Sequence, residues 1–237
     1  MSLLIPVRRY QPDQELIDQP DVDPELLRQD LRNLRLINRW FGGWSATRGA
    51  VAELLRRKVA GPVSLLDLAT GSGDQPFALW RWARKRGLEL RITAVDRSPQ
   101  ILEFARQHVN GRVPIVFKQG DILALDYPDA AFDIVTCCLT LHHFTREHAV
   151  HLLREMRRLS RLGFVVNDLN RSWPAAWTTW LYTHLTTRNP LTLNDSYISV
   201  LRAFTPQELR EMADEAGIVR FTIRTRPFFR LILIGEP

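Results

Sequence analysis

Short apolar runs alternate with stretches of helical period over most of the chain. VSLLDLA (63–69), RITAVD (91–96), IVFKQGD (115–121), FDIVTCCL (132–139) and LGFVVNDL (162–169) are brief and nearly continuous in apolar character, the pattern of strands buried on both faces. Between them the spacing predicts helices over 75–86, closed by Gly87, from Pro99 to about His108, and over 146–159. TPQELREMADEAG (205–217) adds a helix with Thr as N-cap, Pro at the first helical position and a terminal Gly. The last two runs, VRFTIRT and FFRLILIG, have no helix between them and read as antiparallel neighbours. This alternation through short connections predicts an α/β fold. It is a doubly wound sheet of seven strands, mostly parallel with an antiparallel last strand, and helices cover both faces.

The two ends of the pattern differ from its middle. Residues 1–25, with Pro6, Pro12, Pro20 and Pro24, read as an extended arm. Asp23-Pro24-Glu25 then starts a helix, with Leu27, Leu31, Leu34 and Ile37 at helical spacing. Phe41-Gly42-Gly43-Trp44 breaks it, and a second helix runs to about Lys58. The expected organisation is an N-terminal arm and helical cap over 1–60 and one domain over 61–237, in which 170–204 is a lid insertion. Within that insertion Trp173, Trp177, Trp180 and His184 share one helical face. Such a face suits packing against the cap or an aromatic lid over a flat, apolar substrate.

Composition narrows the classes. The 237 residues are 45% apolar and 24% charged, which excludes disordered and low-complexity chains. A net charge of +6 raises nucleic acid as a partner. The arginines, however, alternate with acids along helices, as in Arg154-Glu155-Met156-Arg157-Arg158, so the expectation is no nucleic acid. Cys137 and Cys138 are the only cysteines and are adjacent, which leaves neither a disulfide framework nor a cysteine-based zinc site. No apolar run reaches the roughly 18 residues of a membrane span, and MSLLIPVRRY lacks signal-peptide grammar. A cytoplasmic protein without stable membrane insertion is expected.

The candidate chemistry starts at Asp67-Leu68-Ala69-Thr70-Gly71-Ser72-Gly73-Asp74, where the first strand ends. Gly71 and Gly73 permit positive φ and close backbone approach to a ligand, and the helix behind them points its free N–H groups the same way. The second strand ends in Asp96, suited to ribose hydroxyls, and the third ends in Gly120-Asp121-Ile122, where Asp121 suits an adenine amino group. A dinucleotide turn would carry a third glycine. Here Asp74 follows Gly73 and repels phosphate, which argues against a nicotinamide enzyme and for a ligand with positive charge.

LLDLATGSGD, AVDRS and GDILALDYPDAAFDIVTCCLTLHHF together resemble the class I S-adenosylmethionine-dependent methyltransferases over most of 63–169. The look is nearest to the ubiquinone/menaquinone-type C-methyltransferases and their small-molecule relatives. The resemblance implies a Rossmann-like fold and S-adenosyl-L-methionine as cofactor. It implies that Ala69, Gly71 and Gly73 line the methionine portion. Asp96 would hold the ribose, Arg97 border the adenine, and Asp121 and Ile122 hold it. Cys137 or Cys138 would lie beside the cofactor, with Asp67 supporting the turn from below. The quinone enzymes' Asn-rich segment after the fourth strand is replaced by His142-His143-Phe144.

Methyl transfer from a sulfonium needs alignment and exclusion of water, and a phenol acceptor also gains from a general base. His142 or His143, at the carboxyl edge of the fourth strand, is the candidate, and either also suits a role that only shapes the pocket. Adjacent histidines on one short loop seldom converge on one ion without other ligands, and no third ligand is obvious, so no metal is expected. Trp40, Trp173, Trp177, Asp168 and Arg171 are candidates for substrate contact. The expected activity is methyl transfer to a small apolar, aromatic, phenolic or quinone-like molecule, with O-methylation preferred. C-methylation of a quinone or polyketide precursor and a non-methylating binding protein are the alternatives.

Overall fold

Each of the predicted apolar runs forms a strand in the computed structural model, which describes residues 7–10, 15–19, 21–56, 61–109 and 113–237. The strands are β1 (Val63–Leu68), β2 (Leu90–Asp96), β3 (Ile115–Gln119), β4 (Phe132–Cys138), β5 (Ser160–Leu169), β6 (Phe221–Arg226) and β7 (Arg230–Gly235). They form one sheet in the order β3-β2-β1-β4-β5-β7-β6. The first five are parallel, and β7 runs antiparallel between β5 and β6. The chain winds outward from β1 through β2 to β3, then resumes on the other side of β1 with β4. That reversal opens a crevice at the carboxyl ends of β1 and β4, where ligands of such sheets bind.

The helices are α1 (Pro24–Trp40), α2 (Gly43–Leu55), α3 (Asp74–Arg84), α4 (Pro99–Val109), α5 (Arg146–Leu159), α6 (Trp173–Thr186), α7 (Pro190–Arg202) and α8 (Pro206–Glu215). One apolar core joins β1, β2, β4, β5 and β7 to α2 and α3, through Val51, Leu54 and Leu79. The other joins the opposite face to α5 and α8, through Leu152, Met156, Leu209 and Met212. The alternation of Leu65 and Leu66 between these two cores is the period of a strand buried on both faces. Helix starts follow their sequence signals. Asp23 accepts from the N–H groups of Glu25 and Leu26, and Thr205 and Glu208 form a reciprocal capping box.

Three expectations change. α2 is not part of a cap before residue 60: it buries Ala50, Val51 and Leu54 on the sheet, so a boundary at 60 would cut through a packed layer. It ends at Leu55, and its expected end at Lys58 falls outside the described residues, as do Pro6, Pro12 and Pro20. The insertion holds two helices, the second announced by Asn189 as N-cap and Pro190 at the first helical position. Its tryptophan face does not pack into the core. Trp177 is 65% exposed, and Trp173 and Trp180 are exposed beside it. The inward face of α6 consists of the small residues Ala175 and Ala176, which let α7 approach.

Candidate active site

The turn after β1 is held from three sides. Ala69, Gly71 and Gly73 all have positive φ, at 50°, 55° and 70°. The two glycines have different reasons for lacking a side chain. A Cβ on Gly73 would stand 3.3 Å from Phe117 and Ala105, so this glycine lets α3 close onto the sheet. A Cβ on Gly71 would meet nothing within 4 Å, so the backbone there borders open space.

Asp67 lies beneath the turn and accepts from Thr70 Oγ1 at 2.8 Å and Thr136 Oγ1 at 2.7 Å. Burial raises its carboxyl to about 7. Asp96 accepts from the Gly71 N–H at 2.9 Å and the Ser98 N–H at 3.1 Å. With the Arg97 backbone N–H as a third donor, the Asp96 carboxylate keeps room for a ribose hydroxyl. Asp74 is buried and accepts from Trp44 Nε1 at 2.6 Å, Asn38 Nδ2 at 3.4 Å and Ser72 Oγ at 2.9 Å, tying α1 and α2 to the turn. Open backbone, a carboxylate that can take ribose hydroxyls and an acidic rather than basic rim fit a cationic nucleoside such as S-adenosylmethionine.

Asp121 is exposed and lines a pocket of about 290 Å³ with Val95, Lys118, Gln119 and Tyr127. Ile122 is buried in the core beneath it. Arg97 is exposed and pairs with Asp18 at 2.5 Å. The two cysteines part. Cys137 points into the core shared with α5, whereas Cys138 is partly exposed and sits 3.4 Å from Thr47 Oγ1 of α2. Burial pushes both thiols above their ordinary range, so neither is a thiolate.

A second group assembles at the carboxyl end of β4. His142 and His143 lie on a 3-10 turn, Leu141–His143, which follows Leu139, whose φ is 51°, and the N-cap Thr140. His142 is 2% exposed, and its Nδ1 lies 2.6 Å from Asp168 Oδ1. Asp168 also accepts from the backbone N–H of His142 at 3.1 Å. Burial pushes the Asp168 carboxyl up, but the imidazole and these N–H donors outweigh it and hold the carboxyl below its usual range.

His143 Nδ1 lies 2.7 Å from Asp18 Oδ2 on the N-terminal 3-10 turn, Leu16–Asp18. Burial likewise pushes Asp18 up, and His143 and Arg97 more than reverse it. Glu15 faces both rings from the same segment, at 3.6 Å from His142 Nε2 and 3.7 Å from His143 Nε2. Its carboxyl is 2% exposed and is raised to about 7 by burial. Asp195 holds the segment by accepting the N–H groups of Leu16 and Ile17, both at 2.8 Å.

Several expected substrate contacts are engaged elsewhere. Asp168 orients His142. Arg171 is buried and donates to the carbonyls of Val7 and Ala203 and to Glu208, so it clamps the arm to α8. Trp40, 66% exposed, lies under Arg39 on the surface of α1, and Trp173 and Trp177 are on the outer face of α6. Glu15, Asp18, Ser199 and Arg202 carry no local sequence signal. They lie far from the histidines along the chain, in segments with no motif. Arg202 donates to the carbonyls of both His142 and His143.

A family model described as "Methyltransferase domain" matches residues 65–163. A demethylmenaquinone methyltransferase of Deinococcus radiodurans is 39% identical over 118 residues, 49% of this chain and 45% of that protein. A demethylmenaquinone methyltransferase of Thermotoga maritima is 31% identical over 202 residues, 80% of this chain and 82% of that protein. The match therefore spans about half the length of the first relative and most of the second. Among solved structures, a SAM-dependent methyltransferase from Aquifex aeolicus superposes with a TM-score of 0.59 at 15% identity, over 91% of this chain and 98% of that one. Sheet order, glycine turn and relatives agree: the chain belongs to the class I S-adenosylmethionine-dependent methyltransferases.

Proposed function

We propose that this methyltransferase acts on a small, apolar aromatic acceptor bearing a hydroxyl, of the quinol class. The observation that carries the reading is the histidine pair, His142 buried and His143 half-buried, each Nδ1 tied to a carboxylate, on the edge of the sheet that also holds the glycine turn. With Nδ1 donating to Asp168 or Asp18, the lone pair of each ring is on Nε2. Such nitrogens draw the proton from a phenolic hydroxyl, which ionises near 10 when left to itself. The resulting phenolate is nucleophilic at oxygen and at its ring carbons.

On this reading Asp96 takes the ribose, Gly71 and Ala69 give the methionine portion its space, and Asp121 and Arg97 border the adenine. Cys138, rather than Cys137, is the cysteine nearer the open side. When bound, S-adenosylmethionine supplies an electrophilic methyl on its sulfonium.

Similarity to proteins named ubiquinone/menaquinone biosynthesis C-methyltransferase favours a carbon as the acceptor atom. O-methylation is the second reading, favoured by the histidine pair, because a base acts directly on the hydroxyl that would be methylated. Methyl-labelled cofactor incubated with a demethylated quinol and with a simple phenol, followed by mass spectrometry, tests both. Label on a ring carbon supports the first and label on oxygen the second. Label on neither acceptor overturns the proposal.

A further inference from the structure

We infer that Glu15, His142 and His143 form a binding site for one divalent cation of the zinc class. The inference rests on the histidine pair as the acceptor end of the site; with an ion bound, both Nε2 lone pairs would be coordinated, and the ion in place of a free imidazole would ease ionisation of the acceptor hydroxyl. The three side chains present ligand atoms that all lie within 4.8 Å of one another. Both Nδ1 atoms are occupied by carboxylates, at 2.6 Å from Asp168 and 2.7 Å from Asp18. Each ring therefore turns a bare Nε2 towards Glu15. Carboxylates on the outer nitrogen of ligating histidines are the usual second layer of a metal site, fixing ring and tautomer.

Distance separates an ion from a direct hydrogen bond. A hydrogen bond would bring nitrogen and oxygen to about 2.7–3.2 Å. The observed 3.6 and 3.7 Å are too long for one. A tetrahedral ion with bonds of about 2.0–2.1 Å holds neighbouring ligand atoms about 3.4 Å apart. The carboxylate itself shows the same gap. Glu15 Oε2 accepts from Ser199 Oγ at 2.8 Å, which aims the group, but Oε1 is buried with no hydrogen-bond partner. Oε1 is the oxygen 3.6 Å from His142 Nε2, and Oε2 the one 3.7 Å from His143 Nε2. A buried carboxylate oxygen without a hydrogen bond, opposite an imidazole lone pair, is costly unless something positive lies between them.

Arg202 approaches Glu15 Oε1 only to 3.9 Å, and it donates to the carbonyls of His142 and His143 at 3.2 and 2.7 Å. Its role there is to brace the loop. Two histidines and one carboxylate leave a fourth position of a tetrahedral ion for an oxygen ligand, the kind of atom a hydroxylated acceptor brings.

The test is calorimetric titration of the tag-free full chain with Zn²⁺ after chelator treatment. One ion per chain is expected. Glu15→Gln and His142→Ala should each weaken binding at least about tenfold, and Asp168→Asn about 10–100-fold. Glu25→Gln, an exposed acid outside the cluster, should leave it unchanged. Circular dichroism and S-adenosylmethionine affinity of the same preparations report whether each variant is folded. A folded wild type that takes up no Zn²⁺, or a folded Glu15→Gln that binds it as tightly as the wild type, overturns the site. A chain that methylates a quinol but takes up no Zn²⁺ removes the ion and keeps the proposed function. A chain that binds Zn²⁺ and methylates no quinol or phenol does the reverse.

Discussion

The glycine turn after β1 and the histidine cluster after β4 share one edge of the sheet and are built in opposite ways. The turn is a contiguous stretch, Asp67–Asp74, whose demands are conformational: positive φ at Gly71 and Gly73 and an acid below. Residue type alone meets such demands, so they can be read locally. The cluster draws on Glu15 and Asp18, on His142 and His143, on Asp168 and on Ser199 and Arg202. Its demands are distances between side chains, which only the closed fold supplies. On the proposed reading, cofactor binding thus sits in the local element, and the acceptor end sits where distant segments meet.

The comparison can be broken by asking whether the two regions fail separately. His142→Ala should lower kcat on the order of 10²–10⁴-fold while S-adenosylmethionine affinity stays within about twofold, since it removes only the acceptor end. Single-turnover rates beside calorimetry decide this, and equal losses in both would merge the two regions into one. Asp96→Ala should act the other way, weakening cofactor binding roughly 10–100-fold by removing a charged hydrogen-bond acceptor. An unchanged dissociation constant would sink the assignment of Asp96 to the cofactor.

The two glycines sharpen the picture within the turn. Alanine at either position meets a left-handed backbone that costs about 1–2 kcal/mol. At Gly73 the new Cβ also crowds Phe117 and Ala105, so the melting temperature should fall further than for Gly71→Ala. Gly71→Ala should instead show its larger effect in cofactor affinity. The reverse ranking would mean that Gly73, not Gly71, borders the ligand.

A last test concerns pH dependence beneath the turn. The Asp67 carboxyl ionises near 7 in the fold against an ordinary 3.8. Between these values the folded chain keeps a proton that the unfolded chain has lost. Its contribution to stability is therefore full at low pH, declines as pH rises, and is gone above about 7. Relative to Asp67→Asn, the wild type should lose stability steadily from pH 4 to 7 in urea denaturation. Parallel curves for the two proteins would show that the buried carboxyl titrates normally.

Much of the architecture was legible because strands buried on both faces leave unbroken apolar runs. Helix starts such as Asp23-Pro24 and Thr205-Pro206 carry their capping chemistry in the sequence. Asn189-Pro190 carries the same signal for α7, whereas the tryptophan period before it marks a face that is exposed. Periodicity shows that residues share a side, not which side is buried. Asp168 and Arg171 were recognisable as polar groups at a strand end. Whether they face a ligand, orient a histidine or clamp a segment depends on partners elsewhere in the chain.

The sequence by itself determined the strand and helix order, the glycine turn with its acids, and the placing of two histidines at the end of β4, because each depends on local conformation or burial period. The tertiary structure decided that α2 belongs to the sheet layer and that Cys137 and Cys138 part. It also decided that Glu15 and Asp18 close on the histidines from more than a hundred residues away. Those outcomes depend on how close separate elements come, and no local pattern of residue types encodes such distances.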